Sequence, residues 1–301
     1  MKFLKYTAAA ALGAAAAFLF IYFALAGLLV EAVLHIGDTA DTSVAASAND
    51  AEKVYITADD GVTLAALCYR QEEESGKWAL IMHGYTSCKE NMLPYAQKYY
   101  EQGFSVIVPD QRAHGESGGE YCTMGWTERM DVIRWCEYIA EESPNAELTV
   151  HGISMGAAAV VMAAGEGLPE NVCAVVSDCA FTDVEEIMRH QLTSRVDDSA
   201  AALCFGGSLV TKLRTGSGWR EASALEMAAR SSVPMLFIHG GADDFVPTEM
   251  AYELYAAAGG EKAIFIVPGA LHAQSMYKDT ENYWITVFDF VLNNSSMHKS
   301  G

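Results

Sequence analysis

A serine stands between two glycines in Gly152-Ile153-Ser154-Met155-Gly156, after the apolar Leu148-Thr149-Val150 and before Ala157-Ala158-Ala159. This pattern predicts a strand, a sharp turn and a helix of small residues, with the serine hydroxyl at the tip of the turn. Glycine on either side lets the chains approach where a Cβ would collide. The helix N-terminus favours negative charge developing beside the hydroxyl. The chemistry this suits is nucleophilic attack. A serine hydroxyl needs a base to take its proton, and the base needs a group to orient it. His272 follows the apolar run at 263–267 and Asp243 follows the one at 235–238, in the order serine, acid, histidine. Asp244 adjoins Asp243, and a loop turns only one of the two toward the imidazole; Asp243 is preferred. An acyl-transfer site also needs two N–H donors for the oxyanion. Met155, directly after the serine, supplies one, and Tyr85 in His83-Gly84-Tyr85 is the choice for the other.

Other polar groups read as structural. Arg112 is expected to pair internally, and His151 to be a hydrogen-bonded histidine near the core. Lys89, Glu90, Tyr99 and Tyr100 read as helix surface and packing.

The elements that must position these groups follow from periodicity and breakers. Strands are predicted at 53–57 and 62–69, joined by a turn at Asp59-Asp60-Gly61, and at 78–82, 105–109, 148–150, 172–176, 235–238 and 263–267. Helices are predicted at 91–102, stopped by Gly103, at 127–142, before Pro144, after Ser154, and at 280–292. Strands alternate with helices from about residue 78, which gives an α/β fold: a mostly parallel sheet covered on both faces, with an antiparallel hairpin at one edge.

The net charge is −20. Lys2, Lys5 and Glu31 leave the segment before His35 at +1, so the rest carries −21. Nucleic acid is disfavoured as a partner, since phosphate binding needs a basic face. Seven cysteines form no C-x-x-C pair, and no histidine cluster has zinc-ligand spacing. Neither metal nor cofactor is implied. No disulfide framework is expected, although one bridge in an oxidising compartment stays open.

Residues 7–30 hold no charge, and as a helix they would span about 36 Å, enough for a hydrocarbon core of about 30 Å. Lysines precede the run and acids follow it, which predicts a cytoplasmic N-terminus and a domain on the far side. A cleaved signal peptide, leaving a secreted protein, is the alternative. The expected organisation is an anchor at 1–34, a flexible spacer at 35–52 and one domain at 53–295.

Six blocks carry a resemblance: His83-Gly84-Tyr85-Thr86-Ser87; Asp110-Gln111-Arg112-Ala113-His114-Gly115-Glu116-Ser117; Gly152-Ile153-Ser154-Met155-Gly156; Ser177-Asp178-Cys179-Ala180-Phe181-Thr182; His239 to Pro247; and Pro268-Gly269-Ala270-Leu271-His272-Ala273. In this order the chain resembles the α/β hydrolases of the prolyl-oligopeptidase-like/serine aminopeptidase group, close to membrane-anchored bacterial members. The resemblance implies an α/β-hydrolase fold with a small cap, here about 189–222. It places the acid four residues before Pro247, on Asp243. Gly241 and Leu271 depart from the family pattern, and Leu271 crowds the base. The implied activity is hydrolysis of carboxylic esters or thioesters through an acyl-enzyme. A serine peptidase acting on short peptides, or a membrane-displayed binding module without catalysis, are the other readings. Leu192, Leu203, Phe205, Leu209 and Val210 are candidates to line an acyl pocket. Oligomeric state is not legible.

Overall fold

A computed structural model describes residues 2–36, 51–73 and 75–295, with side chains from residue 13 onward. Along the chain come α1 (Lys2–Leu34), β1 (Glu52–Thr57), β2 (Thr63–Tyr69), β3 (Lys77–Met82), α2 (Leu93–Glu101), β4 (Ser105–Pro109), α3 (Glu128–Glu142), β5 (Glu147–Ile153) and α4 (Met155–Glu166). They are followed by β6 (Val172–Asp178), α5 (Val184–Arg195), α6 (Leu203–Thr215), α7 (Ala224–Arg230), β7 (Met235–Gly240), α8 (Thr248–Ala257), β8 (Lys262–Val267), α9 (Ser275–Lys278) and α10 (Thr280–Asn294).

The strands form one sheet in the order β1-β2-β4-β3-β5-β6-β7-β8. β1 pairs antiparallel with β2 and β2 with β4; the remaining pairs are parallel. The inner strands are continuous apolar runs because both sheet faces are covered. Val106, Ile107, Val108, Leu80 and Ile81 are all fully buried. One core includes side chains of α3, α4, α7 and α8; the other includes those of α2, α9 and α10.

β5 extends to Ile153, beyond the predicted 148–150, because β3 and β6 pair with it on both sides through His151 and Gly152. The predicted helix at 91–102 divides into a tight turn at Lys89–Met92 and α2, with Pro94 in the first turn of α2. There its missing N–H has no partner to lose.

Two expectations need correction. Lys89 is not on the surface: it is 2% exposed, with Nζ 2.6 Å from Asp110, 3.0 Å from Glu116 and 3.2 Å from Glu90. Three carboxylates offset the desolvation of its ammonium. In the segment expected as a cap, Leu192 and Val210 pack on the core, but Phe205 and Leu209 face outward rather than lining a pocket. The spacer expected at 35–52 lies largely outside the described residues.

At the end of β5 the chain turns into α4 through a backbone-to-backbone contact. A Cβ on Gly152 would lie 2.3 Å from the Gly156 oxygen, and one on Gly156 would lie 2.4 Å from the Met82 oxygen. Backbone cannot yield as a flexible side chain can. Gly152→Ala should therefore lower unfolding stability by about 3 kcal/mol, measured by urea titration; a change near zero would mean that this turn relaxes freely.

Candidate active site

Ser154 follows β5 and caps α4, with φ 56 and ψ −118. A non-glycine residue costs about 1–3 kcal/mol in such backbone, so the surroundings must hold it there. Its N–H donates to the Asp178 carbonyl at the end of β6 (2.8 Å). The two glycines leave no room for the turn to unwind toward α4. As a result the side chain projects from the carboxyl edge of the sheet, where β3, β7 and β8 also end.

His272 lies past β8. Its Nε2 is 2.8 Å from Ser154 Oγ, and its Nδ1 is 2.8 Å from Asp243 Oδ2. The carboxylate requires a proton on Nδ1, leaving the Nε2 lone pair to accept from the serine hydroxyl. The Asp243 side chain is fully buried beyond β7, while that of His272 is 21% exposed. Asp243 Oδ1 accepts from Phe245 N–H (3.0 Å) and Val246 N–H (2.9 Å). Burial pushes the Asp243 carboxyl up. Hydrogen bonds from His239, His272 and Val246 outweigh it and hold the group well below the usual carboxylate range. Asp244 is exposed, and its backbone carbonyl lies 3.1 Å from His190 Nε2.

Tyr85 follows β3. The adjoining Gly84 is so near the serine that a Cβ on it would lie 3.2 Å from Ser154 Cβ. No turn or loop hydrogen bond among the described residues uses the Tyr85 or the Met155 N–H. Met155 opens α4, where first-turn N–H groups have no helical acceptor. All five residues singled out from the sequence thus gather at one rim of the sheet.

Several neighbours were not foreseen. His239 Nε2 is 2.9 Å from the Val246 carbonyl and 3.2 Å from Asp243 Oδ2, so it carries a proton and donates to both. The Phe245 ring lies 4.8 Å from the His272 ring and limits its swing. His83 and His114 brace the loop that carries Tyr85. Gln111 N–H donates to His83 Nε2 (2.9 Å), and Thr86 N–H donates to His114 Nε2 (3.3 Å). These residues lie in the blocks that carry the resemblance, but only the fold shows what each one touches. Arg112 pairs internally, with Asp131 and Asp60.

Ligand atoms of Cys179, Asp243 and His272 lie within 4.8 Å of one another. They suit a cation poorly: burial pushes the Cys179 thiol well above its ordinary value, and the other two groups are bonded to each other.

A buried polar chain runs behind the serine. Tyr99 Oη and Tyr283 Oη each lie 3.1 Å from His151, and Tyr283 donates to Asp178 (2.9 Å). Burial drives His151 down to about 3. In the unfolded chain a histidine titrates near ~6.5. Between these values only the unfolded chain binds the proton, so stability falls as pH drops from about 6.5 toward 3. Burial raises Asp178 to about 6, which acts in the opposite sense and is present with or without His151. His151→Gln should flatten the loss by about 1.4 kcal/mol per pH unit near pH 5, read from urea unfolding at several pH values. An unchanged slope would mean that His151 is protonated in the fold.

A family model for the alpha/beta hydrolase fold matches residues 78–205. The Bacillus subtilis protein YqkD is 30% identical over 215 residues, 71% of this chain and 70% of that protein. Protein bem46 of Schizosaccharomyces pombe is 23% identical over 249 residues, 81% of this chain and 77% of that protein. Among solved structures, the Pyrococcus furiosus esterase Pf2001 superposes with a TM-score of 0.68 at 21% identity, covering 86% of this chain and 97% of that one. The acylaminoacyl peptidase of Pyrococcus horikoshii superposes with a TM-score of 0.58 at 17% identity, covering 79% of this chain and 41% of that one.

Proposed function

The chain belongs to the α/β-hydrolase family, and we propose that within it the protein is a serine hydrolase that cleaves carboxylic esters or thioesters through an acyl-enzyme. The observation that carries this reading is the relay Ser154 Oγ, His272 Nε2, His272 Nδ1, Asp243 Oδ2, with 2.8 Å at both hydrogen bonds.

In this reading Ser154 Oγ attacks the acyl carbonyl carbon as His272 Nε2 takes its proton. The carbonyl oxygen becomes an oxyanion against the Met155 and Tyr85 N–H groups, each such donor contributing about 3–4 kcal/mol. Asp243, held ionised by its donors, stabilises the imidazolium. His272 then protonates the leaving oxygen or sulfur, and the acyl group stays on Ser154. A water gives its proton to His272 and attacks the acyl carbon. The acid leaves, and His272 returns the proton to Ser154.

A peptidase would use the same relay, and the fold is shared with both an esterase and an acylaminoacyl peptidase. Comparing an acyl ester with an aminoacyl anilide separates these substrates. The apolar part of α1, residues 13–34, is long enough to cross a membrane; in this reading α1 is the anchor, with its N-terminus cytoplasmic because Lys2 and Lys5 precede the apolar run and Glu31 follows it. Protease applied to intact cells should reach the domain; protection would reverse the orientation.

The full chain should react with a fluorophosphonate and hydrolyse a short-chain activated ester, and Ser154→Ala should abolish both. Asp243→Asn should cost about 10⁴-fold in kcat, by analogy with loss of the acid in other triads, while Asp244→Asn should leave activity within about twofold. Full turnover in Ser154→Ala would reject the reading, and a wild-type chain inert to the probe would favour a binding module.

A further inference from the structure

α1 does not stand off from the body. Every side chain from residue 13 to residue 21 is exposed; from Tyr22 onward one face turns inward, with Ala26, Val30 and Leu34 buried. The element it meets is α6. The Tyr22 hydroxyl donates to the Ala202 carbonyl (2.7 Å) and accepts from Gly206 N–H (2.9 Å). A Cβ on Gly206 would lie 2.9 Å from Ala26 Cβ, and further along Glu31 pairs with Arg214. The two helices therefore run side by side in the same direction.

This packing limits the anchor. Counting residues 7–12 in full, the uncharged helix ahead of Tyr22 reaches only about 22 Å at 1.5 Å per residue. A hydrocarbon core of about 30 Å needs some 20 residues, which brings its edge to about Ala26. Ala26 is already against α6, so the body has no slack and α6 sits at the bilayer surface.

The surface of α6 fits that place. Its exposed side chains include Phe205 (68%), Leu209 (39%) and Leu213 (79%), spaced four residues apart. Its only charges, Lys212 and Arg214, lie in the last turn. They stand level with Glu31, the first charge after the apolar run of α1, so both helices turn from apolar to charged at one height. Glu31 is about 7.5 Å past Ala26, comparable to a headgroup layer. Arg195, at the end of α5, and Asp197 and Asp198, in the turn before α6, are exposed. That suits a helix seated among headgroups rather than threaded through the core.

The same helix pair leads to the serine. At the end of α1 the Tyr85 hydroxyl donates to the Ala32 (3.1 Å) and Val33 (3.0 Å) carbonyls. The Leu34 carbonyl accepts from Cys122 N–H (2.9 Å), and Cys122 Sγ lies 3.3 Å from Met155 Sδ. Val33 is about 10 Å past Ala26 along the helix.

We propose that α6 is a membrane-seated cap helix whose Phe205, Leu209 and Leu213 face contacts the bilayer beside α1, and that the Ser154 site takes amphiphilic acyl esters from that leaflet. The seating rests on the reading of α1 as the membrane anchor and on its packing against α6, and the substrate class rests on the serine-hydrolase reading.

The test uses the full chain in phosphatidylcholine vesicles. Phe205→Cys and Leu209→Cys, with Tyr252→Cys on α8 as reference, carry a bimane label, and the unsubstituted chain gives the background from native thiols. Lipid nitroxides near the headgroup should quench the first two about twofold or more and leave the third unchanged. No quenching at 205 and 209 in membrane-bound protein would overturn the seating. So would label–label quenching that depends on protein density, which assigns the face to a second copy.

Phe205→Glu/Leu209→Glu changes two exposed positions, so folding should survive. It should reduce turnover of a vesicle-borne long-chain ester about tenfold or more, with a soluble short-chain ester unchanged. Equal effects on the two esters would overturn the substrate class. Failure of the wild-type chain on both esters would reject the hydrolase reading, and the quenching result would still decide the seating.

Discussion

The site depends on a backbone contact smaller than a methyl group. Where β5 gives way to α4, Gly152 and Gly156 bring their chains to distances that a Cβ would block. That approach turns the chain back within two residues and leaves Ser154 at φ 56. Three consequences follow from one steric fact. The hydroxyl clears the sheet edge, the first N–H groups of α4 lack helical acceptors, and a helix of small residues packs buried behind Ser154. Strain of this kind persists only where the surroundings over-determine it. Here β3 and β6 flank β5, and the Asp178 carbonyl holds the Ser154 amide.

Electrostatics then distinguishes two adjacent aspartates. Both follow β7, but only Asp243 is withdrawn from water and given donors: two backbone N–H groups, His239 and His272. A buried carboxylate with that many donors stays ionised, and an ionised carboxylate fixes the proton on Nδ1 of the imidazole. Asp244 is solvated and has no such influence. Behind the serine, His151 is a histidine kept neutral by burial, so the fold holds its two kinds of histidine in different roles.

The N-terminal helix adds a constraint that runs along the whole body. Because α1 packs on α6 and its last turn receives the Tyr85 hydroxyl, α1, α6 and the loop after β3 form one packed unit. The exposure of Phe205 and Leu209, which the sequence suggested as pocket lining, follows from the same packing: α6 turns Gly206 toward α1 and Gly207 toward Trp219, leaving those larger residues outside.

The sequence by itself determined the strand–turn–helix around Ser154, the alternation that gives a parallel sheet, and the chain order of Ser154, Asp243 and His272. Those features are local: glycine spacing, apolar runs and breakers act over a few residues. It also held the apolar length of α1. Contacts between residues far apart in the chain were decided only by the tertiary structure. The choice of Asp243 over Asp244 depends on which carboxylate meets an imidazole 29 residues away. The burial of Lys89 depends on Asp110, and the braces at His83 and His114 depend on loops meeting across the sheet edge. The seating of α1 on α6 joins residues 184 apart, and no periodicity within either segment encodes its partner. Local patterns specify which face a segment buries, and three-dimensional packing specifies against what.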